Sequence, residues 1–87
     1  MYEITDYTKK KAEQAGLTVK VSSRKNKKID VFLNGQYLDS IGDIRYMDYP
    51  HFIKSRGKEY ADERRRLYHL RHTKDTLGEQ LAKYLLW

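Results

Sequence analysis

Asp48-Tyr-Pro-His-Phe-Ile-Lys-Ser-Arg-Gly57-Lys-Glu-Tyr-Ala-Asp-Glu-Arg-Arg-Arg-Leu-Tyr-His-Leu-Arg-His-Thr-Lys-Asp75 is the longest helical pattern in the chain, its most extended basic block and the home of all three histidines. Ile53, Gly57, Tyr60, Arg64, Leu67 and Arg71 recur at alternating spacings of four and three, with Ala61 and Tyr68 beside them. That spacing lays one stripe along a helix face and turns it toward a core, with the charge opposite. Asp48 can cap the first free amides, and Pro50 suits a first helical turn, where its missing N–H costs nothing. Gly57 marks a break, giving a short helix over residues 50–56 and a longer one over 58–74. On the longer helix Lys58 and Asp62, Asp62 and Arg66, and Glu63 and Arg66 are spaced to pair. Arg64, Arg65, Arg71, His69 and His72 have no obvious local acid, so the arginines either join an intra-helix network or reach phosphate through Arg65 and Arg71.

Upstream of this stretch the period changes to two. Leu17, Val19 and Val21 alternate with Thr18, Lys20 and Ser22, which predicts a half-buried strand. A basic turn over residues 22–28 leads to a second strand with Ile29, Val31 and Leu33 on one side and Asp30 and Phe32 on the other. Asn34-Gly35 predicts a two-residue hairpin of the primed type, which needs positive φ at both positions. That turn sets a register pairing Leu33 with Gln36, Phe32 with Tyr37, Val31 with Leu38 and Asp30 with Asp39. The last pair is a costly like-charge contact unless a base such as Arg45 lies between them. The third strand is expected to end at Ser40-Ile41-Gly42. The sheet is a three-stranded antiparallel meander over residues 17–42, and the long helix is expected to cover one of its faces.

The flanks complete the pattern. Residues 1–16 read as a helix capped by Thr5 or Asp6, closed by Gly16 and docked through Tyr7, Ala12 and Ala15. Thr76 and Glu79 form a capping box for a final helix, in which each can bond the other's free amide. Leu77, Leu81, Tyr84 and Leu85 stripe that helix, which is expected to fold back on the preceding one. Trp87 reads as a core plug or an oligomer contact. His72 and Asp75 read as a pair at the end of the long helix. The fold class is α+β: an N-terminal helix, the meander, and a long broken helix and a short C-terminal helix packed on the sheet, in one domain of 87 residues.

Composition narrows the chemistry. With 39% hydrophobic residues the core will be thin, and eight tyrosines are expected to complete it. No cysteine is present, which excludes disulfides and thiolate zinc sites. No apolar run approaches the roughly 20 residues of a membrane span, so a soluble, intracellular or virion-enclosed protein without membrane attachment is expected. His69 and His72 share a helical face but stand among arginines, and no paired carboxylate completes a metal set. No glycine loop cradles phosphate, and no tyrosine has a base beside it. We expect no enzyme, no metal and no cofactor. The net charge of +6 points to polyanions instead. Residues 23–29 hold four cations and no acid, and residues 50–75 hold eight cations against four acids. The expected nucleic-acid contacts are Lys20, Arg24, Lys25, Lys27 and Lys28 on the sheet and its flexible basic turn, and Arg65, His69 and Arg71 on the long helix.

The segments Ile4-Thr-Asp-Tyr-Thr, Arg24-Lys-Asn-Lys-Lys-Ile-Asp-Val-Phe, Ser40-Ile-Gly, Asp48-Tyr-Pro, Gly57-Lys-Glu-Tyr-Ala-Asp-Glu-Arg-Arg-Arg-Leu-Tyr, Arg71-His-Thr-Lys-Asp and Leu85-Leu-Trp span nearly the whole chain. Together they resemble a family of short uncharacterised basic proteins encoded by phages and large DNA viruses. Its members carry a longer glycine-containing segment before the final helix, where this chain has a compact Thr76-Leu-Gly-Glu. The resemblance implies a viral origin, with residence in the host cytoplasm or nucleoid during infection or inside the virion. A fainter likeness, of topology only, is to the three-stranded DNA-binding modules at the start of some integrases, whose strands would present Lys20, Arg24 and Tyr37 to a groove. The expected role is a non-enzymatic accessory protein that binds nucleic acid, DNA ahead of RNA. The alternative is a structural virion component, or an interaction module such as a host-factor inhibitor, using the same basic surface, with room for a homo-oligomer.

Overall fold

Asn34 and Gly35 take φ values of 51° and 80° in the computed structural model, which describes residues 2–87. Both central turn positions are therefore left-handed, as a primed hairpin requires. The elements run α1 (Asp6–Gln14), β1 (Leu17–Val21), β2 (Lys27–Leu33), β3 (Gln36–Asp43), α2 (Tyr49–Arg56), α3 (Lys58–Arg71) and α4 (Leu77–Leu85). The sheet is antiparallel with order β1-β2-β3, so the α+β architecture and the meander stand as the periodicities predict. None of its helices is long and apolar enough to cross a membrane.

The register departs from the simple hairpin in one instructive way. Leu33 pairs with Gln36 and Phe32 with Tyr37, but the next pairs are Val31 with Asp39 and Asp30 with Ser40. One extra residue has entered β3 as a bulge, and every later partner shifts by one. The expected Asp30–Asp39 repulsion is thereby removed. Asp30 instead accepts hydrogen bonds from the Ser22 and Ser40 hydroxyls at 2.6 and 2.5 Å. Arg45 does not bridge the two aspartates; it lies against Asp43, at 2.6 Å. β3 also runs one residue further than the sequence predicts, because Asp43 still pairs with Lys27.

Ile29, Val31 and Ile41 line up on one sheet face and are fully buried. The helices that cover the sheet are α1, against β1, and α4, against β3. The C-terminal helix was expected on the sheet and lies there; the long helix, also expected to cover it, does not, and α4 meets α3 through the Tyr68–Trp87 stack at its end. α4 buries Leu81, Ala82 and Leu85 along one side, whereas α3 fully buries Ala61 alone. The helix with the richer apolar stripe takes the sheet, and α3 packs on α2 through Phe52 and Tyr60, whose rings lie 5.5 Å apart. Thr8 on α1, also buried, donates to the Leu85 carbonyl on α4 at 2.8 Å and ties the two covering helices together.

The helix ends follow the local signals with two changes. α1 begins at Asp6 with Thr5 as its cap, so residues 2–5 precede the helix, and Tyr2 and Ile4 pack on the core. Thr76 accepts from the Glu79 amide, but the Glu79 carboxylate does not complete the capping box. It lies 2.8 Å from His72 Nδ1, while Asp75 accepts from the Gln80 side chain. His72 is held for this pairing by stacking on Tyr68 at 4.0 Å. Tyr68 stacks on Trp87 in turn, at 4.4 Å, and Trp87 is buried as the core plug.

Candidate nucleic-acid interface

The basic turn between β1 and β2 is a hydrogen-bonded structure, where the sequence suggested a flexible finger. Ser22 Oγ accepts from the Arg24 amide at 3.0 Å, Lys27 N–H donates to the Arg24 carbonyl, and Ile44 N–H donates to the Asn26 carbonyl. Asn26 supplies the left-handed residue at φ 66°. With its own backbone fixed in this way, the turn projects Arg24, Lys25 and Lys27 into solvent.

The sheet face opposite Ile29 and Val31 carries Lys20, Asp30, Phe32 and Tyr37. Phe32 and Tyr37 meet edge to face at 5.9 Å, and the Lys20 ammonium lies 5.5 Å above the Phe32 ring. Arg24 donates to the Tyr37 hydroxyl at 3.4 Å, and that hydroxyl lies 2.7 Å from Ser40 Oγ. A chain of hydrogen bonds thus runs from Arg24 through Tyr37 and Ser40 to Asp30. The serine hydroxyls that donate to Asp30 hold its carboxyl below the usual range, so one fixed negative charge sits inside this otherwise basic face. Tyr37 is 46% exposed and Lys20 is exposed. Two aromatic rings and a cluster of cations therefore share an open, pleated surface.

Four of the residues expected to touch phosphate belong to this surface: Lys20, Arg24, Lys25 and Lys27. Lys28 does not. It is 3% exposed, and its ammonium lies 3.0 Å from a carboxylate oxygen of Asp48, itself 0% exposed. The second oxygen of Asp48 accepts from the His51 amide and contacts its ring, and Tyr2 donates to the first at 2.6 Å. Burial would raise the Asp48 carboxyl, but Lys28, Tyr2 and His51 outweigh it and hold it below its ordinary value. Lys28 is a structural counter-ion, buried and paired with Asp48, and not part of the solvent-facing basic turn.

The helix residues divide similarly. Arg65 is structural: Nε donates to the Trp87 main-chain oxygen at 2.7 Å, and its guanidinium lies 4.2 Å over Tyr49. His69 is exposed, yet burial of its ring edge, with Arg65 and Lys83 nearby, lowers its pKa. That shift disfavours a charged ring for an anion to meet. Arg71 is exposed and forms no ion pair among the described residues. It lies on α3, across a cleft from Lys27 at the edge of the sheet cluster. Phe32 was not among the expected contacts, although its alternation with Lys20 across the β1–β2 pair was a legible signal. No protein-family model, curated protein or solved structure matches the chain.

Proposed function

We propose that this protein binds single-stranded nucleic acid on the open face of its sheet, without catalysis. The observation that carries the reading is the grouping of Phe32 and Tyr37 with Lys20 and Arg24 on one uncovered surface, bordered by Lys25 and Lys27. Aromatic rings on a sheet offer unpaired bases a stacking platform, while the cations track the phosphates. A duplex keeps its bases stacked internally and gains only the phosphate contacts. An accessory role in a virus or phage is part of the proposal, supported by the sequence resemblance. Binding of short labelled single strands and duplexes, followed by fluorescence anisotropy, tests it. Phe32→Ala and Tyr37→Ala each remove a platform worth about 1–3 kcal/mol per stacked base and should weaken single-strand binding with little change for duplex. Equal losses on both ligands, or none on either, would contradict base stacking.

A second reading has its own observation. Residues 44–47, between β3 and α2, expose Ile44, Tyr46 and Met47, an apolar cluster beside the basic turn. Such a cluster suits a protein partner, as a virion component or host-factor inhibitor would require. Under that reading Tyr46→Ala abolishes assembly with the partner and the sheet variants leave it intact.

A further inference from the structure

The open sheet face leaves the arginines of α3 unexplained. Arg64, Leu67, Tyr68 and Arg71 stand at three- and four-residue spacings, so they share one side of the helix. This C-terminal part of the expected core stripe is one wall of a cleft of about 590 Å³, between α3 and the turn end of the sheet, while Ala61 of the same stripe is in the core. This falls within the range of roughly 300–1,000 Å³ typical of small-ligand sites. Lys27, the last exposed cation of the basic turn, lines the cleft across from α3, so the cleft opens next to the proposed strand-binding surface.

Its charges are unbalanced in one direction. Asp43, the acid in the lining, is already engaged by Arg45 at 2.6 Å. Arg64 and Arg71 have no carboxylate partner among the described residues, and Arg64 Nε is buried without any hydrogen-bond partner there. The Arg64 guanidinium is oriented by its position over Phe52, at 5.7 Å. A guanidinium held in this way suits the planar, two-point recognition of a phosphate. The rest of the lining is mostly apolar, with Met47, Leu67 and Leu86 beside the Tyr68 ring, which His72 and Trp87 sandwich, and with Tyr46, 69% exposed, at the rim.

We propose that this cleft binds a nucleoside phosphate, with the phosphate on Arg64, Arg71 and Lys27 and the base against the exposed ring of Tyr46 at the rim. The choice of a nucleoside phosphate rests on the nucleic-acid reading above; the cleft's preference for an anion with a flat apolar ring does not. A free mononucleotide and the phosphorylated end of a bound strand present the same chemistry.

Titration calorimetry of the full chain with adenosine 5′-monophosphate, adenosine and inorganic phosphate at about 50 mM salt tests the cleft. The nucleotide should bind at least about tenfold more tightly than the nucleoside or phosphate alone, and Arg71→Gln should cost about tenfold. Arg71 is exposed, so this variant keeps the fold even if Arg64→Gln does not. Lys20→Glu and Lys25→Glu should leave mononucleotide affinity within about twofold, because both lie outside the cleft. A strand with a 5′-phosphate that binds several-fold tighter than its 5′-hydroxyl counterpart, losing that advantage in Arg71→Gln, identifies the strand end as the ligand. Equal binding of the two strands, with mononucleotide bound, identifies the free nucleotide. The proposal is overturned if the nucleotide binds no better than phosphate, or if Arg71→Gln has no effect. Strand binding that depends on Lys25 in a protein that ignores mononucleotides would remove the cleft and leave the sheet reading standing.

Discussion

At Asp48 one buried carboxylate joins the segment before α1, the start of β2 and the start of α2 through Tyr2, Lys28 and His51. Asp48→Asn leaves the Lys28 ammonium buried without its counter-charge, and breaking such a pair costs about 3–5 kcal/mol. Urea denaturation should show a loss of that size, with unchanged steepness. The carboxyl is held below its ordinary value of 3.8 in the folded protein, so its stabilisation is complete above that pH and is lost as pH falls through the folded value. The thermal midpoint of the native protein should therefore drop below about pH 4, and Asp48→Asn should show a shallower drop. Lys27 and Lys28 show what single residues conceal. Both read as cations of one basic turn, and only Asp48, twenty residues further on, decides that Lys28 is internal. The capping role of Asp48 was legible from Pro50 and the helical pattern; its ion pair depends on tertiary structure and was not.

Among the elements, β3 illustrates how a local signal can be right and incomplete. The Asn34-Gly35 turn set the first two pairs of the hairpin, and the bulge that follows moved the rest by one. Two clues to it lay in the sequence: the unfavourable Asp30–Asp39 pairing, and serines at positions 22 and 40 able to satisfy Asp30. Gly42, two pairs beyond, has φ 79°, and a Cβ there would come within 2.8 Å of Leu86 and Lys28 side-chain carbons. Gly42→Ala combines backbone strain with overpacking and should destabilise by about 1–3 kcal/mol, measured by chemical denaturation. The division of labour between α3 and α4 was less legible. The 3.6-residue stripe on α3 is real and Ala61 on it is core, but its C-terminal members include Arg64 and Arg71, and that half faces a cleft where a core was expected. Thr8→Val, which removes the link from α1 to α4 and strands the Leu85 carbonyl, should cost about 1–3 kcal/mol and loosen α1 first. Faster amide exchange across residues 6–14 than across the sheet would show that order.

For the molecule as a whole, the net charge of +6 is divided between surface and structure. Lys28 and Arg65 hold the fold, and Lys58 and Arg66 are paired along α3 with Asp62 and Glu63. The cations left on the sheet side are Lys20, Arg24, Lys25 and Lys27, which form one surface with Phe32 and Tyr37. Composition revealed the excess charge, while its placement needed the fold. The most direct test is the salt dependence of single-strand binding, measured by anisotropy between about 50 and 200 mM. Four phosphate contacts predict a slope of about −3 in log affinity against log salt, and Lys20→Glu with Lys25→Glu should flatten it to about −1.4. Absence of binding at the lowest salt, or a slope that the double variant leaves unchanged, would contradict the account.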